Sequence, residues 1–467
     1  MEFKVISARG ATGIEHHLPV DREPAQEDHC APEWRKFRRD EFWRSIPSWH
    51  DISEQVFLDA MWQEQSAVIN RERLERLIGP LVDPAFLDDA TDGMKRAPMA
   101  MRISPYIISL IDWSRPISDP LRRQFLPLGS EIEEDHPLLG LDSLGEQIDS
   151  PVAGLTHRYR TKALFLPTST CPVYCRFCTR SYAVGTDTEE VAKIRLGAGR
   201  DRWKSTFEYI AEHPELEDIV VSGGDAFRLK PNQVRTIGDA LLDLPNVRRI
   251  RFATKGLAVQ PMKIISDRGW LNALTAVSER GRYLHKEVCL HTHFNHPTEI
   301  TGITADAAGL LFERGITVRN QAVLLKGVND GDDCLVDLGR RLSTLNIHPY
   351  YTYLCDLVKG TEDLRTTIAK GIALEKIVRG STAGFNTPTF VVDTLGGGGK
   401  RDVHSFEYYD PDFGLAVYAA PSVKPGKFFI SGDPLRDLRP DVREVWLNQA
   451  TRMELIDSVL KNICHDC

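Results

Sequence analysis

From residue 163 onward, short apolar runs alternate with longer stretches whose apolar residues recur at helical spacing. ALFLP at 163–167, DIVVSGG at 218–224, VRRIRFAT at 247–254, EVCLHTHF at 287–294, ITVRNQAVLL at 316–325 and HPYYTYL at 348–354 read as buried parallel strands. Between them, DRWKSTFEYIAEH, QVRTIGDALLDL, ADAAGLLFERG and DCLVDLGRRLSTL read as helices. Repeated strand-helix units imply a parallel sheet with right-handed crossovers. Polar signatures sit at the strand ends: SGGD follows one, THFNHP another, CD ends a third, and NQ lies within a fourth. Barrel sites gather at the carboxyl ends of strands, so six such units favour a barrel or partial barrel over a doubly wound sheet.

The first 155 residues are different, helix-like and broken by prolines. WRKFRRDEFWRSIPSW sets Trp34, Phe37, Phe42, Trp43, Ile46 and Trp49 at mostly helical spacings, which predicts a face packed on another part of the chain. DHPLLGLDSLGEQIDSPVAGL, rich in Pro, Gly and acids, reads as a surface connection and puts a boundary near residue 155. After 380 come TPTFVVDTLGGGGK, an irregular stretch with prolines, and REVWLNQATRMELIDSVLKNI as one amphipathic final helix. The expected regions are therefore 1–155, helical; 156–360, the barrel; and 361–467, a C-terminal region with the glycine run and tail.

Length and composition narrow the classes. With 467 residues and 42% hydrophobic content, the chain can bury a sizeable core. It contains no apolar run of membrane-spanning length, and MEFKVISARGATG lacks the pattern of a secretory signal, so a soluble, cytoplasmic protein is expected. Basic residues number 58 and acidic residues 66, a net charge of -8, which gives no electrostatic case for nucleic acid or an anionic membrane. The expected partner is a small molecule. Nine cysteines, with Cys30, Cys289, Cys334 and Cys355 scattered singly, argue for a reducing compartment over a disulfide framework.

Three motifs carry chemistry. In CPVYCRFCTRSY, Cys171, Cys175 and Cys178 stand four and three residues apart just after an apolar run. Three soft thiolates on a loop can hold three irons of a 4Fe-4S cluster and leave the fourth open; the other reading is a zinc site short of a ligand. SGGD, Ser222 to Asp225, puts small residues at a strand end, where backbone can approach a ligand or simply turn. FVVDTLGGGGK ends four glycines on Lys400, which argues against a regular helix or strand and suggests a flexible, glycine-lined loop. A phosphate-binding Walker loop would need Gly at Thr394 and Ser or Thr at Arg401, and a dinucleotide fingerprint fails on spacing. What remains is a lysine suited to forming a Schiff base with pyridoxal phosphate (PLP).

Taken in order, THRY, CPVYCRFCTR, SGGD, THFNHP, NQAVLLKGVND, YYTYLCDL and FVVDTLGGGGK closely resemble the lysine 2,3-aminomutase family of PLP-dependent radical S-adenosylmethionine (SAM) enzymes, over about residues 95–405. SPYIISLID, SDPLRRQFLP and DSPVAGLTHRY look like that family's N-terminal region. The resemblance implies an α/β fold with a partial TIM-type (βα)6 radical SAM barrel, a helical N-terminal region and a C-terminal PLP-binding extension. It implies three cofactors, a 4Fe-4S cluster, SAM and PLP, and an isomerase that moves the α-amino group of an amino acid to C3.

Residue by residue, the resemblance assigns Cys171, Cys175 and Cys178 to the cluster and Lys400 to PLP. Arg158 matches an arginine on the PLP phosphate, and Tyr159 falls near the PLP ring. Lys162 stands where the family has a second phosphate arginine, which keeps the charge and loses the fork. Ser222, Gly223, Gly224, Asp225, His293 and Gln321 fall at SAM-contacting positions. Arg180 matches the arginine for the substrate carboxylate, and Asp356 and Asp393 match the pair that holds the distal ammonium of lysine. Two acids there favour a cationic side chain over glutamate, so lysine is expected first, with arginine, ornithine or a protein lysine as alternatives. A flavodoxin or ferredoxin reductant and a homo-oligomer are also expected.

The chain departs from the family pattern in four places. AKIRLGAGRDRW lengthens the stretch between Cys178 and SGGD, and SYAVG replaces an arginine-rich continuation. RFATKGLAV stands where relatives have an Arg-Thr-Pro element. Near the end, YAAPSVKPGKFF lacks the family's zinc cysteines, and the terminal Cys464, His465 and Cys467 form either a displaced metal site or a frayed tail.

Overall fold

The computed structural model describes residues 32–194 and 200–465; Cys30, Cys467 and the middle of the AKIRLGAGRDRW stretch lie outside them. Two compact units are distinguished, the first ending at Lys36 and the second starting at Phe37. The described part of the first is a 3-10 turn, Glu33–Arg35, which carries Trp34.

Nine strands lie side by side in chain order: β1 (Leu155–Tyr159), β2 (Lys162–Phe165), β3 (Asp218–Val221), β4 (Arg249–Ala253), β5 (Glu287–Thr292), β6 (Thr317–Leu324), β7 (Ile347–Leu354), β8 (Thr389–Thr394) and β9 (Gly399–Asp402). Strands β2 to β8 are parallel, joined through helices at Arg200–Glu212, Pro231–Asp243, Arg268–Tyr283, Gly302–Glu313, Cys334–Thr344 and Ile368–Arg379. The six expected strands and four expected helices are all present, and TPTFVVDT adds a seventh parallel strand. Antiparallel β1 and β9 form the two edges. These edges meet without pairing, for the backbone N–H of Lys400 in β9 donates to the Tyr159 hydroxyl in β1 at 2.9 Å. A contact between first and last strand requires the sheet to curl, so it is barrel-like and joined by a side chain.

The apolar runs became strands because both sheet faces are covered. Ile219 and Val221 of β3 and Leu290 of β5 are wholly buried. On the outside, Trp270 of the Arg268–Tyr283 helix is fully buried against Phe227, with ring centroids 4.7 Å apart.

The N-terminal aromatics reach the core without the expected helix. Phe42 and Trp43 lie in one 3-10 turn, Phe42–Ser45, and Trp49 in another, Pro47–Trp49, because Pro47 interrupts any continuous helix. Trp43 stacks on Phe57 at 4.3 Å, and both belong to the same apolar core as the barrel strands. The final segment also differs: helices Pro440–Leu447 and Gln449–His465 are separated at Asn448, whose side-chain oxygen accepts from the N–H of Ala450 and Thr451 and starts the second helix. They pack on an antiparallel sheet of β10 (Tyr408–Asp410), β11 (Leu415–Ala419) and β12 (Phe428–Gly432) around Trp446. Among the described residues no helix is long and apolar enough to cross a membrane.

Candidate active site

At the carboxyl ends of the parallel strands lies a cavity of about 300 Å³, lined by every expected site residue except Gly223. The cysteine loop after β2 is fastened by its backbone: the N–H of Tyr174 donates to the Arg102 carbonyl at 2.9 Å and that of Arg176 to the Gln124 carbonyl at 3.0 Å. The Arg176 guanidinium then forms a buried pair with Asp363, at 2.9 and 3.0 Å. The glycines of SGGD serve this same loop. A Cβ on Gly223 would stand 2.1 Å from the Thr168 carbonyl oxygen, and one on Gly224 2.3 Å from that of Thr170. The close backbone approach expected there is therefore to the cysteine loop, and Gly223 faces that loop in place of the cavity.

Burial pushes the three thiols up, Cys175 to about 12. Among the described residues no three His, Cys, Asp or Glu side chains are placed to hold one metal ion. Three soft thiolates with no fourth cysteine close by in the sequence suit a four-iron cluster, one thiolate to an iron with one iron left open.

Lys400 is not on a loop. Leu395 to Gly398 make the turn of a β8–β9 hairpin, in which Gly396, Gly397 and Gly399 have positive φ that a residue with a Cβ rarely adopts. The glycines thus permit a tight reversal, and the register sets Lys400 opposite Asp393. Lys400 Nζ lies 3.0 Å from Asp393 Oδ2, with the Tyr159 and Tyr353 rings 5.6 and 5.5 Å away. Burial pulls the Lys400 ammonium down, but Asp393 and the two tyrosines outweigh it and the net displacement is upward.

Beside the hairpin, β1 and β2 supply cations. Arg158 Nε donates to Asp149 at 2.8 Å, and Lys162 Nζ stands 3.8 Å over the Tyr159 ring. Burial, then the charges of Lys400 and Arg251, lower Lys162 to about 8. Two cations, an aromatic ring and a cavity-facing amine suit an anionic aromatic aldehyde such as PLP.

The two acids lie close enough to interact and both line the cavity. Asp356 Oδ1 and Asp393 Oδ1 are both buried with no hydrogen-bond partner among the described residues. Burial and the neighbouring Asp393 push Asp356 well above the usual carboxylate range. Unsatisfied buried acceptors facing a cavity fit an incoming cation. Arg180 Nε and Nη2 each donate to Glu146 at 2.9 Å, and the charges of both residues are felt at Asp356.

His293 Nε2 lies 3.1 Å from Asn295 Oδ1, and burial keeps its imidazole neutral. Gln321 reaches the cavity at a break in register: Asn320 pairs Pro349 and Gln321 pairs Tyr351, which skips Tyr350. Such a bulge re-aims side chains, and both Tyr350 and Tyr351 line the wall. Sequence reasoning did not assign Glu146, Lys255, His291, Tyr350, Tyr351 or Tyr353, all of which line the cavity. All but Glu146 lie in or just after strands, so the strand-end rule could have found them. Glu146 carried no such signal, and the connection that bears it is buried from Ser143 to Glu146 where a surface segment was expected.

No family model matches the chain. Individual proteins do. L-lysine 2,3-aminomutase of Acetoanaerobium sticklandii is 38% identical over 357 residues, 75% of this chain and 80% of that protein. The Clostridium subterminale L-lysine 2,3-aminomutase is 36% identical over 355 residues, 76% and 79% of the two chains. A glutamate 2,3-aminomutase of Clostridioides difficile is 33% identical over 298 residues, 64% of this chain and 66% of its own. Identity at this level over most of both partners, with the motif residues gathered in one cavity, shows that the chain belongs to the lysine 2,3-aminomutase family, radical SAM isomerases that use a 4Fe-4S cluster, SAM and PLP.

Proposed function

We propose that the protein is a PLP-dependent 2,3-aminomutase acting on a cationic amino acid, L-lysine first, to give the β-amino isomer. The reading is carried by one observation: three thiols, Lys400, Arg180 and the unsatisfied oxygens of Asp356 and Asp393 share a single cavity. When bound, the reduced cluster with SAM supplies a hydrogen-abstracting carbon radical, and PLP holds the migrating nitrogen. Cys171, Cys175 and Cys178 would hold the cluster, and Ser222, Gly224, Asp225, His293 and Gln321 would line the SAM side. Gly223 would act from behind them, by admitting the cysteine loop.

The protein's own residues then position and exclude. Arg180 takes the substrate carboxylate, and Asp356 with Asp393 takes the distal ammonium. Asp393 already pairs with Lys400, so it can pass from that ammonium to the substrate's when Lys400 engages PLP. Tyr159, Tyr350, Tyr351 and Tyr353 wall the cavity and keep water from a reactive radical. Glutamate would bring a third carboxylate to Asp356 and Asp393, at a cost of several kcal/mol for an unpaired buried charge.

The test is anaerobic reconstitution with iron, sulfide and PLP, followed by incubation with SAM, dithionite and each amino acid separately. Formation of β-lysine from lysine, with arginine, ornithine and glutamate slower, is expected. Conversion of glutamate in preference to lysine would overturn the substrate, and absence of any β-amino product would overturn the reaction.

Lys162 adds a pH signature. Its pKa is depressed to about 8, so the ammonium predominates at neutral pH and is lost as pH rises through about 8. A bound phosphate moves that loss to higher pH, and Asp218 and Asp393 oppose the depression. A charge-assisted hydrogen bond is worth about 1.5–3 kcal/mol, so PLP affinity should fall about tenfold or more between pH 7 and 10. Lys162→Arg should flatten that fall; coincident profiles from PLP titration would remove Lys162 from the phosphate.

A further inference from the structure

We propose that Glu146 is the positioning residue of the substrate-carboxylate arginine, and that Tyr182 holds Glu146 for that task. The proposal rests on the reading of Arg180 as that anchor. Glu146 is only 4% exposed and takes two guanidinium donors, Nε and Nη2, along one edge of the fork. Nη1 has no hydrogen-bond partner among the described residues, while the side chain lines the cavity. A guanidinium has five donors in a rigid plane, so pinning one edge aims the other. What Glu146 leaves open is the Nη1–Nη2 end, the geometry that receives a carboxylate bidentately.

Glu146 is itself fixed from three sides. The Tyr182 hydroxyl donates to Glu146 Oε2 at 3.0 Å, and burial with the Glu146 charge keeps that phenol protonated as a donor. The backbone N–H groups of Glu146 and Gln147 donate to Asp142 at 2.8 and 2.9 Å. Two residues before Glu146, the Leu144 carbonyl accepts from Arg158, and the Ser143 carbonyl accepts from the N–H of Gly396 in the glycine turn. The stretch from 142 to 149 is therefore a strap tied to both the Lys400 hairpin and β1. On the Arg180 side, Lys193 donates to the Ser181 and Pro98 carbonyls, which anchors the residue between Arg180 and Tyr182. Lys193 belongs to the lengthened stretch after Cys178, and Tyr182 to the SYAVG that departs from the family pattern. The two departures thus converge on how Arg180 is held.

The pair also adjusts the charge. Arg180 with Glu146 is neutral overall, so the substrate carboxylate binds by directed hydrogen bonds more than by a free positive charge. Removing the Glu146 charge leaves a more positive but less aimed arginine, and these effects have opposite signs for affinity. Two donors fixed at 2.9 Å argue that orientation dominates.

The experiment is equilibrium binding on the holoenzyme loaded with cluster and PLP, without SAM so that no turnover occurs. The visible PLP spectrum is followed during titration with lysine and, separately, with cadaverine, which is lysine without its carboxylate. Glu146→Gln should weaken lysine about tenfold and leave cadaverine within about twofold, with Tyr182→Phe shifting lysine in the same direction by less. Cluster and PLP content per chain and the melting temperature identify a variant that has not folded, in which case Tyr182→Phe alone decides: a lysine-selective loss supports the proposal and no loss overturns it. Unchanged lysine binding in Glu146→Gln, or equal weakening of both ligands, overturns the role of Glu146. Arg180→Lys separates the two levels. If it weakens lysine and not cadaverine while Glu146→Gln is silent, the anchor stands and the proposal falls; if it weakens both alike, the anchor reading falls and takes the proposal with it.

Discussion

Replacing Lys400 with alanine is expected to lower turnover by at least about 10³-fold, the scale on which loss of a reacting side chain is felt, and to remove the visible band of enzyme-held PLP. The cluster absorbance should survive, because the thiols hang from the loop after β2 while Lys400 is on β9, and no hydrogen bond joins Lys400 to that loop among the described residues. Stability of the PLP-free protein should also fall. Asp393 is buried with one oxygen on Lys400 and the other unpartnered, so the alanine variant leaves a buried carboxylate with neither satisfied. Removing one partner of such a pair costs about 3–5 kcal/mol. A second substitution, Asp393→Asn, should restore most of the lost melting temperature without restoring activity, a non-additivity that a double-mutant cycle measures. Turnover of Lys400→Ala within tenfold of the parent would remove Lys400 from the chemistry. A melting temperature indifferent to the second substitution would show that the ion pair carries no stability.

How far the sequence carries one toward this site depends on what kind of signal each residue has. The parallel strands were legible because a strand covered on both faces must be apolar almost throughout, and runs such as DIVV and EVCLH admit little else. The cysteine triplet was legible because its chemistry is local. Lys400 was legible as a residue but not as geometry: four glycines predict freedom, and only β8, pairing back through the register Asp393 to Lys400, turns that freedom into a hairpin. The connection at 135–155 was misread because Gly, Pro and acidic composition reports a loop and does not report what covers it. Its buried Glu146 became visible only with Arg180 beside it, from a residue 34 positions away. The aromatic N-terminal stretch shows a similar limit. Periodicity predicted a buried face from Trp34 to Trp49, and it is buried at Phe42, Trp43, Ile46 and Trp49, but Pro47 and tertiary packing made 3-10 turns where the spacing predicted helix.

The acid pair offers the sharpest division between stability and function. Asp356 lines the cavity with Oδ1 unpartnered, and burial plus the nearby Asp393 raise its pKa well above the carboxylate range. A carboxyl with a raised folded-state pKa binds more protons folded than unfolded, so it subtracts stability as pH climbs from about 4, its unfolded value, toward its folded pKa. Asp356→Asn removes that penalty. The variant should therefore melt higher than the parent, by a margin that is small near pH 4 and grows toward neutrality. Substrate binding should move the opposite way. If Asp356 receives the distal ammonium of lysine, the asparagine variant strands that cation in a closed site, at about 2–5 kcal/mol or roughly 100-fold in KM. Discrimination between lysine and glutamate should shrink by a similar factor without inverting, because Asp393 still lines the cavity. A more stable protein with a lysine KM within about threefold of the parent would make Asp356 a mere strained carboxyl. A less stable one would mean that its charge is already compensated in the folded chain, and that the wall was not built to await a cation.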